Sequence, residues 1–125
     1  MTPKIVLICD SDRTMQRILQ HLLEKEGFTV NSFSTGKTGP ARIRAAKPHL
    51  LVLNFKMPAK EGPKILQELE KSAGQKPYII VLSHHENPAK HQETLSFGAD
   101  EVIIKPFQPS DFTKKIKSLV KGGRI

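Results

Sequence analysis

Short apolar runs alternate with helix-period segments along this chain, and that alternation restricts the fold more than any other feature. Ile5 to Cys9 is an apolar run, and Met15, Ile18, Leu19, Leu22 and Leu23 after it fall on one face of a helix that Gly27 stops. Phe28, Val30 and Ser32 alternate as a second strand. Thr35 to Lys47 reads as a second helix, its first turns weakened by Gly36, Gly39 and Pro40 and its end set by Pro48. Leu50 to Leu53 and Tyr78 to Leu82 are further apolar runs, with a helix over Gly62 to Lys71 between them. Asn87 followed by Pro88 has the form of a cap with proline at the first helical position, and Gly98 closes that helix. Val102 to Ile104 is a fifth strand. Ser110 or Asp111 then caps a last helix with Phe112, Ile116, Leu119 and Val120 inward and its lysines outward, before Gly122 and Gly123 end it.

Apolar runs of this kind are strands buried on both faces. Five of them, separated by five helices and joined by short connections, imply right-handed crossovers and a parallel sheet covered on both sides. The fold class is therefore doubly wound α/β, with residues 1–125 as a single domain. In such sheets the site lies beyond the carboxyl ends of the strands, where strand order reverses. That places Asp10 to Asp12, Asn54 to Lys56, Ser83 to His85 and Lys105 at the candidate site. No internal repeat, linker or Gly-rich phosphate loop interrupts the pattern.

Composition narrows the class further. With 125 residues and 38% hydrophobic side chains the chain can bury a core, which separates it from disordered sequences. Its apolar runs are far short of the roughly 20 residues that span a bilayer, so no membrane partner is expected. Met1 leads into no basic, then apolar, secretory leader, and a cytoplasmic address is the default expectation. The lone Cys9 sits inside an apolar run and reads as a small buried hydrophobe. Net charge is +8, and the segment 108–125 concentrates it, with Lys114, Lys115, Lys117, Lys121 and Arg124 against Asp111 alone.

The strand ends bring together a carboxylate, Asp10, a hydroxyl, Ser83, and an ammonium, Lys105. Pro48 stands before the third strand, Met57-Pro58 and Gly62 after it, and Gly98-Ala99-Asp100 and Lys105-Pro106-Phe107 flank the fifth. In this order and spacing the set resembles the receiver domain of two-component response regulators over essentially the whole chain. The resemblance implies a flavodoxin-like (βα)5 sandwich whose five-stranded parallel sheet has the order 2-1-3-4-5. In that family two adjacent acids after the first strand help hold magnesium, and an aspartate at the end of the third takes a phosphoryl group from a histidine kinase. A hydroxyl after the fourth strand and a lysine after the fifth contact the phosphoryl oxygens.

Carried over residue by residue, the acidic pair falls on Asp10 and Ser11, the phosphoacceptor on Asn54, the hydroxyl on Ser83 and the lysine on Lys105. Two of the three acids are absent. The neutral amide of Asn54 cannot form an acyl phosphate as a carboxylate does, since its nitrogen lone pair is delocalised into the carbonyl. Asp10 alone supplies charge to a hard cation, so no cofactor is expected and magnesium binding should be weak or absent. Asp12, one position beyond the usual pair, reads as the cap of the first helix. Lys105 retains a structural role, its ammonium bridging Asp10 and Asn54. His84 stands where the family commonly has a small residue, and Val102 replaces the aromatic that usually reports phosphorylation.

These departures lead to the expectation of a non-enzymatic pseudo-receiver that signals by binding a protein partner, such as a kinase or an output domain, irrespective of phosphate. By resemblance the partner face comprises the fourth helix, fifth strand and last helix, here carrying Lys90, His91, Glu93, Val102, Lys114, Lys115 and Lys117. A weak homodimer is compatible with such a module. One competing reading keeps an active phosphoacceptor, with Asp12 or Ser11 replacing Asn54. Ser83 and Lys105 converge on the third strand's end, which disfavours it. Another binds nucleic acid through the basic last helix, but one Tyr and no Trp leave few stacking platforms. A zinc site from His84, His85 and His91 with Asp10 lacks any repeating ligand spacing.

Overall fold

The structure is a computed structural model that describes residues 4–10, 12–33, 39–54, 61–70, 76–83, 92, 94–96 and 98–125, with the backbone alone at 39–40, 54, 61–64 and 70. Its strands are β1 (Ile5–Cys9), β2 (Thr29–Phe33), β3 (Leu50–Asn54), β4 (Tyr78–Ser83) and β5 (Glu101–Ile104). Its helices are α1 (Arg13–Lys25), α2 (Gly39–Ala46), α3 (Glu61–Glu70) and α4 (Pro109–Lys121). All the strands are parallel in one sheet ordered β2-β1-β3-β4-β5, the flavodoxin-like arrangement expected of the sequence.

Burial on both faces of β1, β3 and β4 divides the core in two. Alternate residues of each strand point to opposite faces. Val6, Ile8, Leu50, Val52, Ile80 and Leu82 therefore pack on one side with Leu19 and Leu23 of α1 and Phe112, Ile116 and Leu119 of α4. Leu7, Cys9, Leu51, Leu53, Ile79 and Val81 pack on the other with Ile43 of α2 and Ile65, Leu66 and Leu69 of α3. Each fully buried Leu or Ile contributes about 1.5–3 kcal/mol of transfer free energy. Cys9 is among the fully buried side chains, as its apolar neighbours indicated.

Helix ends follow local chemistry, with several corrections to the sequence reading. Gly27, at φ +92, ends the turn after α1 in a conformation that side chains rarely adopt. The second helix begins at Gly39 rather than Thr35, and residues 34–38 lie outside the described residues. The last helix is not capped by Ser110 or Asp111. Gln108 is its N-cap and makes no side-chain cap bond, because Pro109 takes the first helical position and carries Ser110 and Asp111 into the first turn. Val120, expected inward, is 41% exposed, since it lies a residue past Leu119 and rotates off the buried stripe. Of the helix expected between Asn87 and Gly98, Gln92 and Thr94 to Ser96 are helical and the remainder lies outside the described residues.

The amino ends of the strands are stitched together by backbone hydrogen bonds, from His49 N to Ile5 O at 2.8 Å and from Tyr78 N to His49 O at 3.0 Å. Asp100 fixes the edge strand to β4 twice, its Oδ2 accepting from Ile79 N at 2.8 Å and its own N–H donating to Ile79 O at 2.9 Å. Beyond Gly123, Arg124 lies 5.3 Å over the Tyr78 ring and Ile125 returns to the core, where its carbonyl accepts from Lys4 Nζ.

Two groups near this base, a phenol and an ammonium, have raised pKa values. Burial, reinforced by Glu101, pushes the Tyr78 phenol above its ordinary 10.0. The hydrogen bond and ion pair with Glu101 push Lys115 above its ordinary 10.5, at an N–O distance of 2.7 Å. A raised folded-state pKa stabilises the fold below the unfolded value and the contribution is lost as pH rises through the folded one. Both groups therefore act in one direction, and stability should be level at neutral pH and fall above pH 10, as read by urea denaturation. Tyr78 is the sole Tyr and there is no Trp, so phenolate absorbance follows it alone. Its midpoint should lie above 10.0, shift down in Glu101→Gln and return to the ordinary value in denaturant.

Candidate functional site

The site is built at the carboxyl edge of the sheet, where register brings four residues onto neighbouring strands. Cys9 pairs with Leu53, so Asp10, directly after β1, and Asn54, the last residue of β3, lie side by side. Asn54 pairs with Leu82, whose successor Ser83 ends β4. Ser83 in turn pairs with Ile104, directly before Lys105. The backbone closes this edge through Lys105 N donating to Ser83 O at 2.7 Å and Asp10 N donating to Phe33 O at 3.1 Å. Asp10 and Ser83 are buried, at 1% and 6% exposure, while Lys105 is half-buried and precedes a cis bond to Pro106.

Within the acidic turn the two carboxylates have separate structural tasks. Asp10 Oδ1 accepts from the backbone N–H of Asp12 at 2.8 Å, a turn closed by the side chain of its own first residue. Asp12 Oδ1 accepts from Thr14 N at 2.9 Å and Met15 N at 3.3 Å, satisfying two of the N–H groups that a helix start leaves open. Asp12 is therefore the N-cap of α1, as its position implied. Its carboxylate faces the helix. The Asp10 carboxylate at the strand end is engaged through Oδ1 with the Asp12 N–H. Among the described residues no three His, Cys, Asp or Glu side chains converge as a metal group.

Gln16 is a site residue that sequence reasoning missed. Its Nε2 donates to Asp10 O and, at 3.5 Å, to Phe33 O, tying α1 to the ends of β1 and β2. The signal was available, since Gln16 stands three residues before Leu19 and seven before Leu23, on the buried flank of the helix. A polar residue there requires a buried partner.

Of the other sequence candidates, Ser11, Lys90, His91, Glu93, His84 and His85 lie outside the described residues, as does the side chain of Asn54. Val102 is half-buried on β5, Lys114 and Lys117 are exposed on α4, and Lys115 is paired with Glu101.

A parallel five-stranded sheet ordered 2-1-3-4-5, with a buried aspartate after β1, a hydroxyl at the end of β4 and Lys-Pro after β5, defines a class of signalling domain. The model of the response regulator receiver domain matches residues 6–117, and the chain belongs to that family. It is therefore a receiver domain of two-component signal transduction. It is similar to a probable transcriptional regulator, ycf27, of Porphyridium aerugineum, at 30% identity over 121 residues, covering 97% of this chain and 50% of the relative. It is also similar to the alkaline phosphatase synthesis transcriptional regulatory protein PhoP of Bacillus subtilis, at 26% identity, covering 98% of this chain and 50% of that protein. The chain thus spans about half the length of the curated relatives it matches. The chemotaxis response regulator CheY4 of Vibrio cholerae shares the fold at a TM-score of 0.85 and 23% identity, over 94% of this chain and 99% of that one.

The Asp12 cap makes a direct prediction. Asp12→Ala should destabilise the domain by about 1 kcal/mol and Asp12→Asn by much less, both read from urea midpoints at unchanged slope.

Proposed function

We propose that this receiver domain works without aspartyl phosphorylation, as a non-enzymatic module that binds a protein partner in a signalling pathway. The observation that carries the reading is the residue at the end of β3. Position 54 is asparagine, in register between the Asp10 and Ser83 strand ends. A carboxamide cannot attack phosphorus and release a stable acyl phosphate, whatever surrounds it. Ser11 in place of a second acid and the use of Asp12 as a helix cap support the same reading, because they remove charge that a magnesium ion would need. Ser83 and Lys105 then keep structural roles at a closed sheet edge. Relatives named as transcriptional regulators are about twice as long as this chain, and an output half is one kind of partner such a module would engage.

Incubation with acetyl phosphate or phosphoramidate and magnesium should leave the intact mass of the chain unchanged. A stoichiometric phosphate adduct mapping to the strand-end site would overturn the proposal. Millimolar magnesium should likewise leave the melting temperature unmoved, since a ligand stabilises in proportion to its binding to the native state.

Asn54→Asp tests how far the site has been dismantled. A second carboxylate beside Asp10 places like charges together, so the variant should be less stable than the parent at neutral pH without metal, and magnesium should restore part of the loss. A mass-spectrometric time course should show slow phosphorylation of Asn54→Asp and faster phosphorylation of Ser11→Asp with Asn54→Asp. Equal rates for the two variants would show that Asn54 alone disables the site.

A further inference from the structure

The amino edge of the sheet, opposite the strand-end site, collects cations from the strands and from both helix layers. Strand register puts the starts of β2, β1, β3 and β4 in one row, with Ile5 beside Thr29, Val6 beside Leu50 and Leu50 beside Tyr78. At about 4.8 Å per strand this row is roughly 14 Å long. His49 stands directly before β3, and Lys76 precedes β4 with Pro77 between them. Each helix runs back across the sheet between parallel strands, so helix C-termini come down to the same edge. They bring Lys25 at the end of α1, Lys47 directly after α2 and Lys121 at the end of α4. Arg124 follows, over the Tyr78 ring, and shares a recess of about 270 Å³ with Lys76. All of these side chains are exposed.

Lysines at helix ends have an ordinary explanation, since a cation near a helix C-terminus offsets the partial negative charge of its carbonyls. That account covers Lys25, Lys47 and Lys121. It does not cover His49 and Lys76, which precede strands, or Arg124, whose guanidinium extends over Tyr78 of β4. Nearby acids have other tasks. Asp100 Oδ2 accepts from Ile79 N at 2.8 Å, Glu101 is paired with Lys115 at 2.7 Å, and Lys117 reaches Glu26 at 3.7 Å. Glu24, exposed beside Lys25, subtracts from the surplus, and Lys4 is bound to the Ile125 carbonyl. His49 Nδ1 accepts from Ile5 N at 3.0 Å, so the ring carries its proton on Nε2 and donates from there. The apolar residues interleaved with these cations, Phe28, Pro77 and Ile125, are buried.

Cations without an apolar centre suit a polyanion. A protein interface rests on buried aromatic and aliphatic anchors, and stable attachment to a bilayer needs an inserted group besides charge. Going beyond the protein-binding reading of the domain, we infer that the amino edge of the sheet is a second binding surface, which takes the phosphate backbone of double-stranded nucleic acid without reading its sequence. A duplex strand carries a charge every ~3.4 Å of axis, so a row of roughly 14 Å meets about four phosphates of the near strand. Lys76 and Arg124 hold phosphates at the β4 end of the row, Lys47 and His49 Nε2 beside β3, and Lys25 and Lys121 from the layer of α1 and α4. Phosphate contacts need no stacking platforms, so the scarcity of aromatic side chains is no obstacle. The surface lies at the far end of the strands from Asp10 and Asn54, and is distinct from the face of α4 and β5 that family resemblance suggests.

The test is fluorescence anisotropy of a labelled DNA duplex of about 20 base pairs, titrated with the full chain at several salt concentrations. About four phosphate contacts give a log–log salt slope of about −4 and a loss of affinity on the order of 100-fold between about 50 and 200 mM salt. A duplex of unrelated sequence should bind equally. Lys76→Gln, Arg124→Gln and Lys47→Asn, the last placing at φ +48 a residue that tolerates it, should each weaken binding several-fold and flatten the slope by about 1. Arg124→Lys keeps the charge and should keep the slope. Lys114→Gln, exposed on α4 about two turns above this edge, should alter neither affinity nor slope. Absence of salt-dependent duplex binding overturns the proposal, as does an equal loss in Lys114→Gln, which would move the site to the last helix. A fall in melting temperature with unchanged duplex affinity in the edge variants would reduce these cations to stabilisers of the fold, and also overturns it. So does tighter attachment of the same residues to vesicles containing phosphatidylserine, which would assign the edge to a membrane surface. Equal binding of polyglutamate would assign it to an acidic protein.

Discussion

The parallel pairing of β1, β3 and β4 is the constraint on which the rest of the domain depends. Their inner residues have no accessible face, so the backbone can satisfy its hydrogen bonds only within the sheet, and the side chains require a helix layer on each side. α1 and α4 cover one face and α2 and α3 the other. Every strand must then return to the same edge by a crossover, and all the strand ends open in one direction. The site is a by-product of that geometry: Asp10, Asn54, Ser83 and Lys105 are neighbours because four strands stop at the same level.

The fold was legible from this same feature. Runs such as Tyr78 to Leu82 lack the polar alternation of a half-exposed strand, and the stripe from Met15 to Leu23 has a helical period, so sheet and layers could be read directly. The end of the second helix was equally plain, because Pro48 follows Lys47, which adopts φ +48. The starts of helices were harder. Ser110 and Asp111 are good cap residues by type, yet a proline one place earlier takes the first helical position and displaces them. Val120 was misplaced for a different reason: a helix advances 100° per residue, and Val120 lies one step round from Leu119, off the stripe that Phe112, Ile116 and Leu119 bury.

The candidate site was legible in its membership more than in its bonding. Asp10, Ser83 and Lys105 stand at the strand ends where the resemblance put them, and Asp12 caps α1 as its position implied, whereas the closing of the acidic turn by Asp10 Oδ1 on the Asp12 N–H depends on a backbone direction that no residue pattern carries. Asp12 turns to α1 because the first turn of the helix presents two unpaired donors to it. Gln16 was overlooked because glutamine is ordinarily an exposed helix former, and only its phase relative to Leu19 and Leu23 betrays its inward direction. Ile18 and Val120 were read as inward because each lies beside the apolar stripe of its own helix, yet both are exposed.

The two edges of the sheet carry unequal exposure to intermolecular pairing. β2 presents Thr29 and Asn31 outward, polar side chains with little tendency to recruit another strand. β5 is richer in aliphatic side chains, with Val102, Ile103 and Ile104 in succession and none of them fully buried. It is short, at four residues, and the Lys115 and Glu101 ion pair sets charge beside it. Asp100 and the Lys105 amide hold its two ends against β4. Strand-templated aggregation of this domain would therefore be governed by how often β5 detaches, which places the resistance of the fold to self-association in one carboxylate and one backbone amide at the ends of its shortest strand.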